Sequence, residues 1–404
     1  MTVISTVRVC AAALAVSVTS AGVATASAAP QPAPTPESLS LTPPGVSLPD
    51  SLAGQRIPAP QAALNTLVAD GAVGVVAAIK TGTREQRWSA GVRRVWTDLP
   101  VRPNAKFRVA SNTKTMVATL VMQQVEKGAW HLEDTIDEIA PGLVPGHGSV
   151  TIEQLLSHRS GMPDGVLEAM VAKMDGPFAW DEYFRVLGED YADREIIAGA
   201  LSVPWLFQPG TSYSYSNAGY VVLGQLLQRA TGKSLPTLLE QRVFKPAGMT
   251  NSSFPTRPGV PDGMLVDAAK TPWRWYSLPH FNPEVFSAAG GTISTARDMT
   301  RFAKALNSGM LVGKSTLEQM RRPRTASVGY GLGIYRITDA CRPGSYLYGH
   351  DGMSPGTLSL SFSSADASRQ FSIGVSGRYY PVGSRNQVPY DLNAAALALV
   401  AATC

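Results

Sequence analysis

Cysteine, histidine and charge are all scarce here: three cysteines, five histidines and 16% charged residues in 404 positions. Three cysteines build neither a disulfide-dense scaffold nor a Cys-rich zinc module. The histidines lie far apart, with no HExxH or HxxH pair, so no metal and no cofactor is expected. The formal charge of +5, from 35 Lys+Arg against 30 Asp+Glu, is small for this length and spread along the chain. Without a basic block no nucleic-acid partner is expected. Glycine periodicity and heptads are missing too, and 44% hydrophobic content is too apolar for disorder. What remains is a soluble enzyme or binder with one sizeable core.

The first 28 residues stand apart from that core. Arg8 precedes an apolar run at 9–18, and small-residue sites follow at Ala24-Thr25-Ala26 and Ala26-Ser27-Ala28. This pattern predicts a cleaved secretory signal over 1–28 and a secreted or wall-located protein. The apolar run is too short for a stable membrane span, which would be the rival reading. From 29 to 60 prolines recur, among them Pro30, Pro32, Pro34, Pro36, Pro43, Pro44 and Pro49, and predict a stiff leader. Cleavage discards Cys10 and leaves Cys341 and Cys404, which in an oxidising exterior most simply form one disulfide. Closing so long a loop stabilises by about 4 kcal/mol in the chain-entropy model; two free thiols are the alternative.

Hydrophobic periodicity predicts a helix over 62–70, strands over 73–79 and 86–95, and a helix over 111–128. In that last helix Met116, Leu120, Val121 and Val125 share a face and Gly128 ends it. The middle is mostly helical, with an apolar run at 220–230 stopped by Gly232 and a further helix over 296–306. Strands return at 331–337, 346–350, 356–362 and 371–376, before a last helix over 391–401. The expected fold is therefore α+β, one domain over 61–404. An antiparallel sheet built from both termini and flanked by helices (about 61–130 and 285–404) carries an inserted, mostly helical lobe (about 131–284).

Three clusters carry chemistry. Ser111-Asn112-Thr113-Lys114 opens a helix, and positions i and i+3 share a face, so Lys114 reaches the Ser111 hydroxyl. A serine needs a neighbouring base, and a lysine is one once burial lowers its pKa; the bland alternative is an N-capping serine. Tyr215-Ser216-Asn217 offers a phenol to shuttle a proton and an amide to hold a carbonyl. His350-Asp351-Gly352 lies on a strand whose glycine admits a ligand backbone. A substrate lying along that edge would place its carbonyl between the N–H groups of Met353 and Ser111.

S-x-x-K, Y-x-N and H-x-G in this order resemble the signature of the penicillin-recognising serine hydrolases. The likeness runs from about 60 to 404 and includes Phe107-Arg108-Val109-Ala110-Ser111, Leu155-Leu156-Ser157-His158-Arg159-Ser160-Gly161, Ser287-Ala288-Ala289-Gly290-Gly291 and Gly329-Tyr330-Gly331-Leu332-Gly333. Within that superfamily the chain is most similar to secreted actinomycete D-alanyl-D-alanine carboxypeptidases, whose cysteine positions Cys341 and Cys404 match. The resemblance implies acyl transfer: Ser111 attacks, Lys114 takes its proton, Tyr215 relays it to the leaving group, Asn217 holds the acyl amide and His350 shapes the pocket. The first expected function is therefore a D-alanyl-D-alanine carboxypeptidase of penicillin-binding type, acting on a peptidoglycan-type peptide or other small acyl substrate, with β-lactams as acylating inhibitors; a monomer is expected.

Two positions depart from the carboxypeptidases. Asp351 stands where they carry threonine, and Tyr335 where they carry a carboxylate-binding arginine, with Arg336 one place along and so on the opposite face. Both changes disfavour a free substrate carboxylate and leave room for amides, esters or D-amino-acid amides. A β-lactamase, and a non-catalytic wall receptor on the same fold, are the other readings. Lys80-Thr81-Gly82 precedes the serine motif and reads as a turn. Gly352-Met353-Ser354-Pro355-Gly356 mimics a nucleophile elbow but no histidine follows it. Gly232-Lys233-Ser234 lacks the first glycine of a P-loop.

Overall fold

The computed structural model describes residues 46–325, 329–380 and 388–404. The signal expected over 1–28, and the leader up to residue 45, lie outside the described residues. The first helix, α1 (Pro60–Ala69), has its proline in the first turn, where no backbone N–H is needed. Strands β1 (Gly74–Thr81) and β2 (Arg84–Gly91) follow, and the Lys80-Thr81-Gly82 triplet ends β1 and turns into β2 through a left-handed Gly82. The C-terminal strands are β3 (Tyr335–Thr338), β4 (Tyr346–Met353), β5 (Thr357–Ser364) and β6 (Arg369–Ser376). All six pair antiparallel in the order β2-β1-β6-β5-β4-β3, so the sheet is indeed closed by strands from both ends of the domain.

Alternation along the strands feeds two cores. Val75, Ala77 and Ile79 point to one face with Phe362, Phe371 and Ile373, covered by α1 and the last helix, α5 (Leu392–Ala401). Val76 and Ala78 point to the other, beneath α2 (Asn112–Glu126) and α4 (Ala296–Asn307). Helix α3 (Asn217–Thr231), ended by left-handed Gly232, leads the helical segments beside α2. Leu48, within the segment read as leader, is buried in the first of these cores, with Val46, Leu52 and Ile57 packed around it. A disulfide joins Cys341 to Cys404, their Cα atoms 5.6 Å apart, and ties the chain end to the segment after β3.

One expected strand is shorter than its apolar pattern suggests. Residues 331–334 form a tight turn, in which Gly331 N–H donates to the Ile334 carbonyl and Gly333 is left-handed. The apolar pair Leu332 and Ile334 is buried in that turn, which periodicity alone does not separate from a strand. The early stop matters. Among the described residues β3 pairs with β4 only as far as Gly349, so His350–Met353 have no strand beside them on that edge.

Candidate active site

The segment entering α2 is held rigidly. Phe107 is fully buried, and Arg108 pairs with Asp267 (Nε–Oδ2 3.2 Å) while its guanidinium covers the Phe281 ring at 4.3 Å. Asp267 also accepts from Ser354 Oγ at 2.5 Å, so one carboxylate anchors both the approach to Ser111 and the end of β4. Removing one partner of so buried an ion pair costs on the order of 3–5 kcal/mol. Ser354, the elbow-like serine, is thereby a turn-fixing residue. It also accepts from the Thr357 N–H at 3.0 Å.

Ala110, a non-glycine residue, adopts φ 47° immediately before the serine, the kind of backbone strain that functional sites retain. Ser111 sits at the N-cap of α2, yet its side chain makes no capping bond. Its hydroxyl is instead 3.1 Å from Lys114 Nζ. Lys114 is fully buried, and Nζ also donates to Asn217 Oδ1 at 2.6 Å and to the Ala289 carbonyl at 2.8 Å. Burial lowers its pKa to about 7, against the opposing pull of Asp164 and Asp351. A neutral lysine has two N–H bonds and one lone pair. Two carbonyl oxygens take the N–H bonds, which leaves the lone pair for the serine proton.

Tyr215 closes the other side, with its ring centroid 4.7 Å from Lys114 Nζ. Burial pushes its phenol well above the ordinary value, against a smaller opposite effect of the Ser111 hydroxyl, so it stays protonated and can donate. Asn217 begins α3 behind a Ser216 cap and is engaged at both ends: Oδ1 receives Lys114 and Nδ2 donates to Asp164 Oδ2 at 2.7 Å. One Nδ2 hydrogen remains for a substrate carbonyl.

His350 faces the same space. Its Nδ1 lies 2.5 Å from the Asp351 carbonyl, which can only accept, so Nδ1 carries a proton, and Nε2 shares a hydrogen bond with Tyr330 Oη at 2.9 Å. Asp351 lies beside it, and Gly352 brings β4 against α2. A Cβ there would stand 2.3 Å from the Val109 carbonyl and 3.1 Å from Ser111 N. Gly352→Ala is therefore expected to push β4 away from the serine, lowering kcat by about 10² for a shift near 1 Å and stability by roughly 1–3 kcal/mol. Saturation kinetics and thermal melting check both. Met353 buries its side chain in the core below the sheet and offers the site only its backbone.

The structure thus gathers Ser111, Lys114, Tyr215, Asn217, His350, Asp351 and Gly352 around one point. Sequence reasoning gave no role to three contributors. Asp164 fixes Asn217; its Met162-Pro163-Asp164-Gly165 turn carries no periodic signal. The Ala289 carbonyl holds Lys114 through backbone alone. His158 was noted only within a longer run; it is buried with φ 57°, stacks 4.2 Å from Tyr215 and accepts the Ser216 N–H. Burial above all lowers its pKa well below the ordinary value, so it is neutral.

Residues 61–373 match the family model described as Beta-lactamase. Penicillin-binding protein 4* of Bacillus subtilis is 28% identical over 280 residues, 64% of this chain and 58% of that protein. The chain thus spans under two thirds of that relative. Esterase EstB of Burkholderia gladioli is 30% identical over 287 residues, 64% of this chain and 71% of that one. Among solved structures, a D-stereospecific amidohydrolase from Streptomyces sp. superposes with TM-score 0.74 at 28% identity, covering 85% of this chain and 98% of the other. With the serine, lysine and tyrosine motifs converging in the matched region, the chain belongs to the beta-lactamase family of serine hydrolases.

Proposed function

We propose that this chain is an exported serine acyl-transfer enzyme that hydrolyses amides or esters through an acyl-Ser111 intermediate. The observation that carries it is the Lys114 amine, with two acceptors fixed and its remaining position on the Ser111 hydroxyl. Neutral Lys114 removes the serine proton as Oγ attacks the substrate carbonyl. The developing oxyanion lies between the N–H groups of Ser111 and Met353. The proton passes through the Tyr215 hydroxyl to the leaving atom, whose bond to the acyl carbon breaks. Water then repeats the sequence in reverse roles and frees Ser111.

The carboxypeptidase reading is the weaker one on this geometry. Asp351 lines the cavity bordered by Tyr215 and His350, and His350 is its sole ion-pair partner among the described residues. A substrate ending in a free carboxylate meets an uncompensated like charge there. Similarity to the esterase and the amidohydrolase named above supports an ester or amide substrate. A turnover panel tests this: acyl-D-Ala-D-Ala, its C-terminal amide, a nitrophenyl ester and a chromogenic cephalosporin. The amide is expected to exceed the free acid in kcat/KM; the reverse order would restore the carboxypeptidase reading.

A further inference from the structure

A cavity of about 430 Å³ is bordered by Tyr215 and His350 of the site, while Ser111, Lys114 and Asn217 are not among its lining residues. In the proposed reaction Tyr215 protonates the departing amine, so this cavity faces the amine half of the substrate. Tyr213, Tyr330, Tyr335 and Tyr346 contribute aromatic walls, and Asp351 is among them. The Asp351 side chain is only 6% exposed, and its Oδ2 has no hydrogen-bond partner. Oδ1 is 3.4 Å from His350 Nδ1, but that nitrogen's hydrogen is committed to the Asp351 main-chain carbonyl.

The other neighbours do not cancel the charge. Burial, and then the Asp351 charge, push the Tyr335 phenol well above its ordinary value, so it faces the carboxylate as a neutral group. Arg336 also lines the cavity, but its guanidinium lies over the Tyr346 ring, 4.1 Å from the centroid, and makes no ion pair with Asp351. A buried carboxylate without a cation is costly, and π faces grouped around one carboxylate suit an ammonium ion.

We propose that this cavity binds a positively charged group on the leaving half of the substrate, making amides whose departing amine carries a second, protonated amine the preferred class. The inference rests on the acyl-Ser111 reading. The bond between acyl carbon and amine nitrogen breaks, the acyl group stays on Oγ, and that nitrogen takes the proton delivered by Tyr215. The second amine keeps its charge throughout and sits against Asp351.

Three N-acyl-D-alanine amides that differ only in leaving charge test it: the 2-aminoethyl amide, the n-propyl amide and the glycine conjugate, which ends in a carboxylate. In the wild-type enzyme kcat/KM is expected to fall about tenfold or more at each step from cation to neutral to anion. In Asp351→Asn the cationic and neutral amides are expected to converge. The wild-type series is decisive even should that variant fold poorly. Equal rates for cation and neutral in the wild type, with turnover abolished in Ser111→Ala, would overturn the ammonium pocket and leave the serine reaction standing. Turnover of none of the three would overturn both.

Discussion

Ser111→Ala is expected to lower kcat/KM by about 10⁴ or more on every substrate the wild-type enzyme turns over. The reason is structural as well as chemical. The Ser111 side chain makes no cap at the start of α2, so its loss leaves the helix end as it was and removes only the group facing Lys114. The melting temperature should therefore stay close to that of the wild type. A variant that lost activity together with its fold would show that Ser111 is a structural residue. Retained activity in a folded variant would move the nucleophile elsewhere, and Ser354, bonded to Asp267, is poorly placed to supply it.

The second large effect is a pH dependence set by Lys114. Its pKa is lowered by burial to about 7 from the ordinary lysine value of 10.5. Below the lower value the amine is protonated and has no lone pair for the serine proton. kcat/KM is therefore expected to rise about tenfold per pH unit up to pH 7 and then level off. Lys114→Ala should remove this limb and cost roughly 10³ in rate. Stability follows the same sign. Between about pH 7 and 10.5 the unfolded chain binds the lysine proton and the folded chain does not, so stability rises with pH across that window. The contribution is present above the unfolded value and lost as pH falls through 7. Urea unfolding of wild type against Lys114→Met across this range isolates it; a constant difference would contradict the assignment of the low pKa to Lys114.

Much of the machinery was legible in the sequence because its parts are local. Ser111 and Lys114 are joined by helical spacing, Tyr215 and Asn217 by one turn, and His350 to Gly352 by a strand. The flanking strands were legible for the same reason, since alternation of apolar residues is a nearest-neighbour property. What escaped depends on contacts across the fold. Asp164 and the Ala289 carbonyl meet Lys114 and Asn217 only after the helical segments fold back on α2, and periodicity assigns neither a role. Leu48 was hidden by the prolines around it, although one buried leucine is enough to dock that segment. The reach of the first C-terminal strand was overestimated because Leu332 and Ile334 are as buried in a turn as in a strand. That shortening has a consequence for function, because it leaves the edge of His350–Met353 open beside the serine.

Asp351 shows how a departure from a motif becomes informative once it is placed. In sequence it is one unexpected letter between a histidine and a glycine. In the fold it is a buried carboxylate on an aromatic-walled cavity with one oxygen unpaired. That charge acts on Ser111 only through its pull on Lys114, where burial dominates, whereas it bears directly on the choice of substrate. Variants at 351 should accordingly redistribute kcat/KM among substrates rather than abolish acylation.

The central claim is that substrate acyl groups pass through Ser111, and one measurement meets it directly. The purified protein is incubated with a fluorescent penicillin, weighed intact by mass spectrometry, and digested to locate the label. A single adduct of one penicillin mass on the peptide carrying Ser111, absent from Ser111→Ala, is the expected result. Label on a different residue, or equal labelling of Ser111→Ala, would contradict the account.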